Sequence, residues 1–105
     1  AVHMADAYAR LSGGVGVALV TGGQGHANAV AALPTALNGE SSVLLLSGHA
    51  PLAELGNGAF QELPQAAMAA PVAKAAFTAA TAEGLAQDVT RCIALARCGR
   101  PGTRT

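Results

Sequence analysis

Apolar positions along this chain recur in two distinct rhythms. Residues 1–12, AVHMADAYARLS, set Val2, Ala5 and Ala9 on one stripe with Met4, Tyr8 and Leu11 beside it, a 3.6-residue period that predicts an amphipathic helix. Asp6 and Arg10 stand at i,i+4 in the favourable order on its outer face, and Gly13-Gly14 ends it as a left-handed cap would. VGVALV (15–20) and SVLLLSG (42–48) are continuous apolar runs, which predicts short strands buried on both faces. Between them ANAVAALPTALN (27–38) predicts a helix closed by Asn38-Gly39, kinked or broken near Val30 because Pro34 removes a donor and clashes one turn back. A long loop follows, HAPLAELGNGAFQELPQ (49–65), with a short helix expected around 65–70. VAKAAFTA (72–79) reads as a third, weaker strand, and Thr81 as the cap of a helix whose stripe is Leu85, Val89, Cys92 or Ile93, and Ala96.

Helix, strand, helix, strand, loop, strand, helix is the order of right-handed βαβ units, so the fold class is α/β: a three-layer parallel sheet with helices on both faces. Such sheets bind ligands beyond the carboxyl ends of their strands. The loops after Val20 and after Ser47 both leave from those ends and are expected to meet at one site. The first of them, VTGGQGHANAV (20–30), is a glycine-rich turn in which Thr21 and Asn28 flank backbone N–H groups at a helix start. It is not a dinucleotide fingerprint, because Asn28 stands where the third glycine belongs and the next strand ends in Ser47 and His49 without an acidic residue. With no G-K-S/T it is not a P-loop, and LLSGH lacks the first glycine of a nucleophile elbow. His3, His26 and His49 lack zinc-site spacing and read as surface or hydrogen-bonded residues, so no metal ligands are expected here.

Composition narrows the function classes. With 105 residues the chain is one domain at most, and 51% hydrophobic against 11% charged residues excludes disorder. A formal net charge of zero, without clustered Lys or Arg, argues against nucleic acid as a partner. No apolar run reaches the roughly 18 residues of a membrane span, and no signal-peptide pattern opens the chain. Cys92 and Cys98 fall on one helix with roughly 9 Å of rise between them, too far for a disulfide, which suggests small apolar helix positions and a reducing, cytoplasmic setting. Both ends read as cut: Ala1 begins inside a helix pattern, and GRPGTRT stops where a new element is expected.

AVHMADAYAR, VALVTGGQGHANAV, VLLLSGHAPL, GAFQELPQ and RCGRPG occur in the order and spacing of a known domain. The chain resembles the N-terminal, pyrimidine-binding domain of thiamine-diphosphate-dependent enzymes, most of all the acetolactate synthase group, which includes oxalyl-CoA decarboxylase and benzaldehyde lyase. The resemblance runs from residue 1 to about 102, so residues 1–105 are expected to be part of such a flavodoxin-like domain, truncated at both ends. It implies that Gly23, Gln24 and Gly25 lie against the cofactor's aminopyrimidine ring, with Thr21 and Asn28 lining the same site. The family usually has proline where this chain has Gln24. It further implies that Phe60 and Gln61 line the substrate side, Gln61 near the reactive ring, and that Pro51 and Ala59 line the channel leading to it. Glu62 is expected to fix the loop or face solvent.

In this family a glutamate hydrogen-bonds the pyrimidine nitrogen and promotes the imino tautomer that activates the thiazolium carbon, which then attacks a 2-keto acid. That glutamate lies three residues before the position of Ala1, and none of Glu40, Glu54, Glu62 or Glu83 stands at a matching place, so no catalytic residue is assigned here beyond a substrate-side role for Gln61. Diphosphate and Mg2+ are held by a separate domain, from a second subunit of a homodimer or homotetramer. Family flavin contacts lie in a middle domain, which leaves FAD open, and the substrate class is a small 2-keto acid or an acyl-CoA. After GRPG the family continues into a further apolar strand where this chain reads TRT, so an unpaired sheet edge and poor solubility are expected. The competing reading is a non-catalytic flavodoxin-like module that binds a nucleotide or a partner chain.

The chain by itself is therefore expected to have no catalytic activity and no measurable affinity for thiamine diphosphate. Titration calorimetry checks this, and magnesium-dependent binding heat with the isolated chain would refute it.

Overall fold

Two parallel strands carry the sheet. In the computed structural model, which describes residues 1–51, 53, 56, 58, 62–98 and 103–104, β1 (Gly16–Val20) pairs with β2 (Val43–Ser47) from Gly16 opposite Val43 to Val20 opposite Ser47. A two-residue β3 (Thr103–Arg104) lies along the other edge of β2, parallel to it, giving the order β1-β2-β3. The helices are α1 (Val2–Ser12), α2 (Gln24–Val30), α3 (Leu33–Asn38), α4 (Gln65–Ala69) followed by a 3₁₀ turn at Ala70–Val72, and α5 (Leu85–Arg97). Val43 and Leu45 join the core formed with α1, α2 and α3, whereas the equally buried Leu44 lies outside that cluster. α5 packs on β2 and β3 with Cys92 and Ala96 buried, so helices cover both faces of β2.

Several expected elements form as anticipated. α1 buries Val2, Ala5 and Ala9, and Gly13 ends it at φ 70 with its N–H on the Ala9 carbonyl at 3.0 Å. The break before Pro34 is complete: α2 stops at Val30, and Pro34 sits in the first turn of a new helix, where its missing N–H leaves no bond unmade. Gly16 lets α1 lie directly on β1, since a Cβ there would run into the Ala5 carbonyl.

Other expectations are corrected. β1 is not buried on both faces: Val17 and Leu19 are 52% and 75% exposed. Among the described residues α5 packs mainly on β2 and β3. Residues 72–79 form no strand beyond a single-residue bridge at Ala75; the 3₁₀ turn takes up Val72, alanine favours the pleat little, and β3 takes the free edge of β2. The element expected after GRPG thus begins at Thr103. Thr81 accepts the Gly84 N–H at 3.0 Å, closing the turn before α5 rather than capping its first turn. Leu85 of the anticipated stripe is 48% exposed, because it starts the helix at the rim of the sheet. Cys92 is a buried and Cys98 an exposed free thiol.

Asp6 does not lie on the outer face of α1; it is 6% exposed. Arg10 Nε bonds Asp6 Oδ1 at 2.8 Å and Ser41 Oγ at 3.0 Å, and Nη2 donates to the Thr35 carbonyl at 3.4 Å, tying α1 to the end of α3. The hydrogen bond from Arg10 holds the Asp6 carboxyl below its ordinary 3.8, outweighing the upward push of burial, with Ser41 and the Arg10 charge adding to it.

Two outcomes test this packing. Gly16→Ala should lower stability by about 1–3 kcal/mol or more in thermal unfolding, because the obstacle is backbone. Since the folded-state pKa of Asp6 lies below 3.8, its stabilisation is complete above that value and lost as pH falls through the folded pKa. Asp6→Asn should therefore lower Tm at neutral pH and flatten its fall below pH ~4; parallel Tm curves for the two proteins would contradict the linkage.

Candidate functional site

The carboxyl ends of β1 and β2 lie level, and the segments that leave them are stitched together. Gly48 N–H donates to the Val20 carbonyl at 3.0 Å. A Cβ on Gly22 would come within 2.9 Å of the Gly48 carbonyl oxygen, so the two backbones touch where a side chain has no room. Gly23 then turns the chain at φ 64, ψ −118, a conformation that L side chains rarely adopt, and becomes the cap of α2. A Cβ on Gly25 would meet Thr21 Cγ2 at 2.6 Å. Three glycines of the turn thus have separate steric reasons.

Behind the turn lies a buried polar network. Gln65, at the start of α4, accepts the Gly23 N–H on Oε1 at 2.9 Å and donates from Nε2 to the Gly48 carbonyl at 2.9 Å. His26, 2% exposed, places Nε2 2.8 Å from the Gln65 carbonyl and Nδ1 2.6 Å from Ser47 Oγ. A carbonyl only accepts, so Nε2 carries the proton, and in the neutral ring Ser47 donates to Nδ1.

In front of the turn, Ala1, His3, Val20, Gly25 and Asn28 line a cleft of about 280 Å³. Among the described residues it has no Lys, Arg, Asp or Glu in its wall. A second cavity of about 220 Å³, behind His26 and Ser47, is lined by Phe77, Leu85 and Val89 with Asp88. No three His, Cys, Asp or Glu side chains come together among the described residues, and no helix there is long and apolar enough to cross a membrane.

Of the residues singled out in the sequence, Thr21, Gly23, Gln24, Gly25 and Asn28 share one turn and the helix it opens. Gly25 and Asn28 face the cleft, whereas the Gly23 N–H points inward to Gln65. Gln24 is the first residue of α2, a position whose backbone also suits proline. Pro51 is exposed after β2. Ala59, Phe60 and Gln61 lie outside the described residues. Glu62 Oε1 accepts the Gly56 N–H at 2.6 Å. Sequence reasoning missed Gln65 and the pairing of His26 with Ser47; a polar residue opening a short helix carries no distinguishing signal without its partners.

The family model described as thiamine pyrophosphate enzyme, N-terminal TPP binding domain, matches residues 1–68. Over 102 residues, 97% of this chain, it is similar to the acetolactate synthase isozyme 3 large subunit of Escherichia coli (strain K12), at 40% identity and 18% of that protein's length. Over the same span it is 41% identical to 2-hydroxyacyl-CoA lyase 2 of Danio rerio, of which it covers 16%. The acetolactate synthase large subunit of Haemophilus influenzae is 38% identical, with 18% of its length covered. The chain thus spans less than a fifth of each of these relatives.

Replacing His26 by Phe leaves the Gln65 carbonyl and the Ser47 hydroxyl without this partner and should cost about 1–3 kcal/mol for each orphaned group, read as a fall in Tm. Unchanged stability would mean that water or a neighbour replaces both bonds.

Proposed function

The chain belongs to the thiamine pyrophosphate enzyme N-terminal TPP binding domain family, and from that premise we propose that it supplies the pyrimidine-binding half of an active site in an acetolactate synthase-like 2-keto acid decarboxylase or carboligase. The observation that carries this reading is the cleft beside Gly25 and Asn28, at the carboxyl end of β1, which has no charged side chain in its wall among the described residues. A diphosphate needs cations or a row of free N–H groups; a neutral aromatic ring needs apolar walls and a few polar contacts. At about 280 Å³ the cleft falls just under the roughly 300 Å³ at which small-molecule pockets begin, as suits one half of a site shared between domains.

In this reading Val20, Ala29 and Ala32 give the ring its apolar wall, Asn28 offers a side-chain amide, and the turn at Gly23–Gly25 provides backbone close to the ring. Thr21 packs its methyl over Gly25 and keeps the turn from spreading. The chemistry supplied by the cofactor when bound is cleavage of the bond next to a keto carbon. Ala1 and His3 border the same cleft, so the glutamate that the family places three residues upstream of Ala1 approaches from this side. Gln61 and Phe60 are assigned to the substrate side, with Ala59 and Pro51 on its channel. Diphosphate and Mg2+ are assigned to a domain of a second subunit in a homodimer or homotetramer, FAD to a middle domain where it is used, and the location to the cytoplasm.

The test is the full-length protein. It is expected to release carbon dioxide from pyruvate and form acetolactate only with thiamine diphosphate and Mg2+ present. Asn28→Ala should raise the half-saturating cofactor concentration by about 3- to 10-fold, the worth of one lost hydrogen bond. A full-length protein that binds a nucleotide and not thiamine diphosphate would move the chain to the non-catalytic module.

A further inference from the structure

We propose that Gln65 is a positioning residue for the cofactor turn, holding Gly23 in its left-handed conformation so that Gly25 and Asn28 face the pyrimidine. This rests on the pyrimidine-binding reading above. With φ at 64, Gly23 directs its N–H into the protein, where a buried donor without an acceptor is costly. Gln65 Oε1 is that acceptor, at 2.9 Å. The orientation of the amide follows from its partners: a backbone N–H on one side demands oxygen, and the Gly48 carbonyl on the other demands the NH2 group, 2.9 Å away. One planar group therefore joins the turn after β1 to the segment after β2.

Gln65 is in turn held in place. Its side chain is 6% exposed, and its own carbonyl receives His26 Nε2 at 2.8 Å from within α2, the helix that the turn opens. Its backbone N–H bonds the Leu63 carbonyl at 2.8 Å, so the chain enters α4 in one conformation. Gly22, stripped of a side chain, leaves the space: a Cβ there would stand 3.4 Å from Gln65 Oε1 and closer still to Gly48. The turn is thus set by a residue 42 positions away that does not line the cleft.

The experiment uses full-length protein and three variants. Gln65→Met keeps length and loses both amide bonds, and Gln65→Glu retains an oxygen for the Gly23 N–H while losing the donor to Gly48. Ala96→Gly loosens α5 at the amino end of β2, where Ser42 Oγ donates to the Ala96 carbonyl, and serves as the control at the opposite end of the strands from the turn. Gln65→Met should raise the half-saturating thiamine diphosphate concentration about ten-fold, with KM for pyruvate within about two-fold. Gln65→Glu should show at most about a third of that rise, and Ala96→Gly none at equal loss of Tm. A Gln65→Met protein whose cofactor half-saturation matches the parent, or an Ala96→Gly protein that shows the same rise, overturns the proposal. If Gln65→Met does not fold, a Gln65→Glu half-saturation equal to that of the control overturns it, and one above the control by about two-fold or more supports it. A parent protein that does not bind thiamine diphosphate defeats the functional reading instead, a result separate from any difference among the variants.

Discussion

The parallel pairing of β1 with β2 is the constraint on which the site depends. Register places Val20 opposite Ser47, so both strands end at the same height and both chains must turn away together. Gly48 N–H then extends the pairing by one more bond to the Val20 carbonyl. A one-residue slip would send Val43 and Leu45 out of the core and separate Gly22 from Gly48, so apolar packing and site geometry select the same register. The glycines of the turn follow from this, because two backbones in contact leave no volume for Cβ atoms.

The polar residues around the turn divide by depth. On the inner side, His26, Ser47 and Gln65 satisfy one another and the turn's backbone, and among the described residues nothing charged is buried there. On the outer side, the polar side chains of the cleft among the described residues are Asn28 near the turn and His3 across from it. A rigid support behind and a neutral cradle in front is what an aromatic ring held in one orientation requires, and it differs from the cationic lining of a phosphate site. The ion pair of Asp6 with the half-exposed Arg10 stands toward the far end of α1, where it ties α1 to α3 away from the cleft.

Much of the site was legible in the sequence because its signals are local. Gly13, Gly23 and the Pro34 break act through their own backbone or through neighbours a few residues away, and they appear where the pattern put them. The burial of β1 was misjudged because a continuous apolar run does not say which face a neighbour will cover; Val17 and Leu19 stay exposed, while α5 packs mainly on β2 and β3. Residues 72–79 misled because alanine and valine satisfy strand and helix patterns alike, whereas the pairing edge went to Thr103 and Arg104. Gln65 was invisible for a different reason: both partners of its amide are backbone atoms, and backbone carries no sequence signature.

The helix-strand-helix-strand order up to Ser47, the two chain reversals at glycine, the neutral character of the turn and its resemblance to a thiamine-diphosphate domain were determined by the sequence alone. All of these rest on periodicity, steric limits of single residues or motif spacing, which act within a few positions along the chain. Tertiary structure decided which strand face stays open, that Asp6 is buried, and that His26 bonds Ser47 and Gln65. Those outcomes depend on which distant segments arrive at the same place, as when residue 65 meets residue 23 across the ends of two strands.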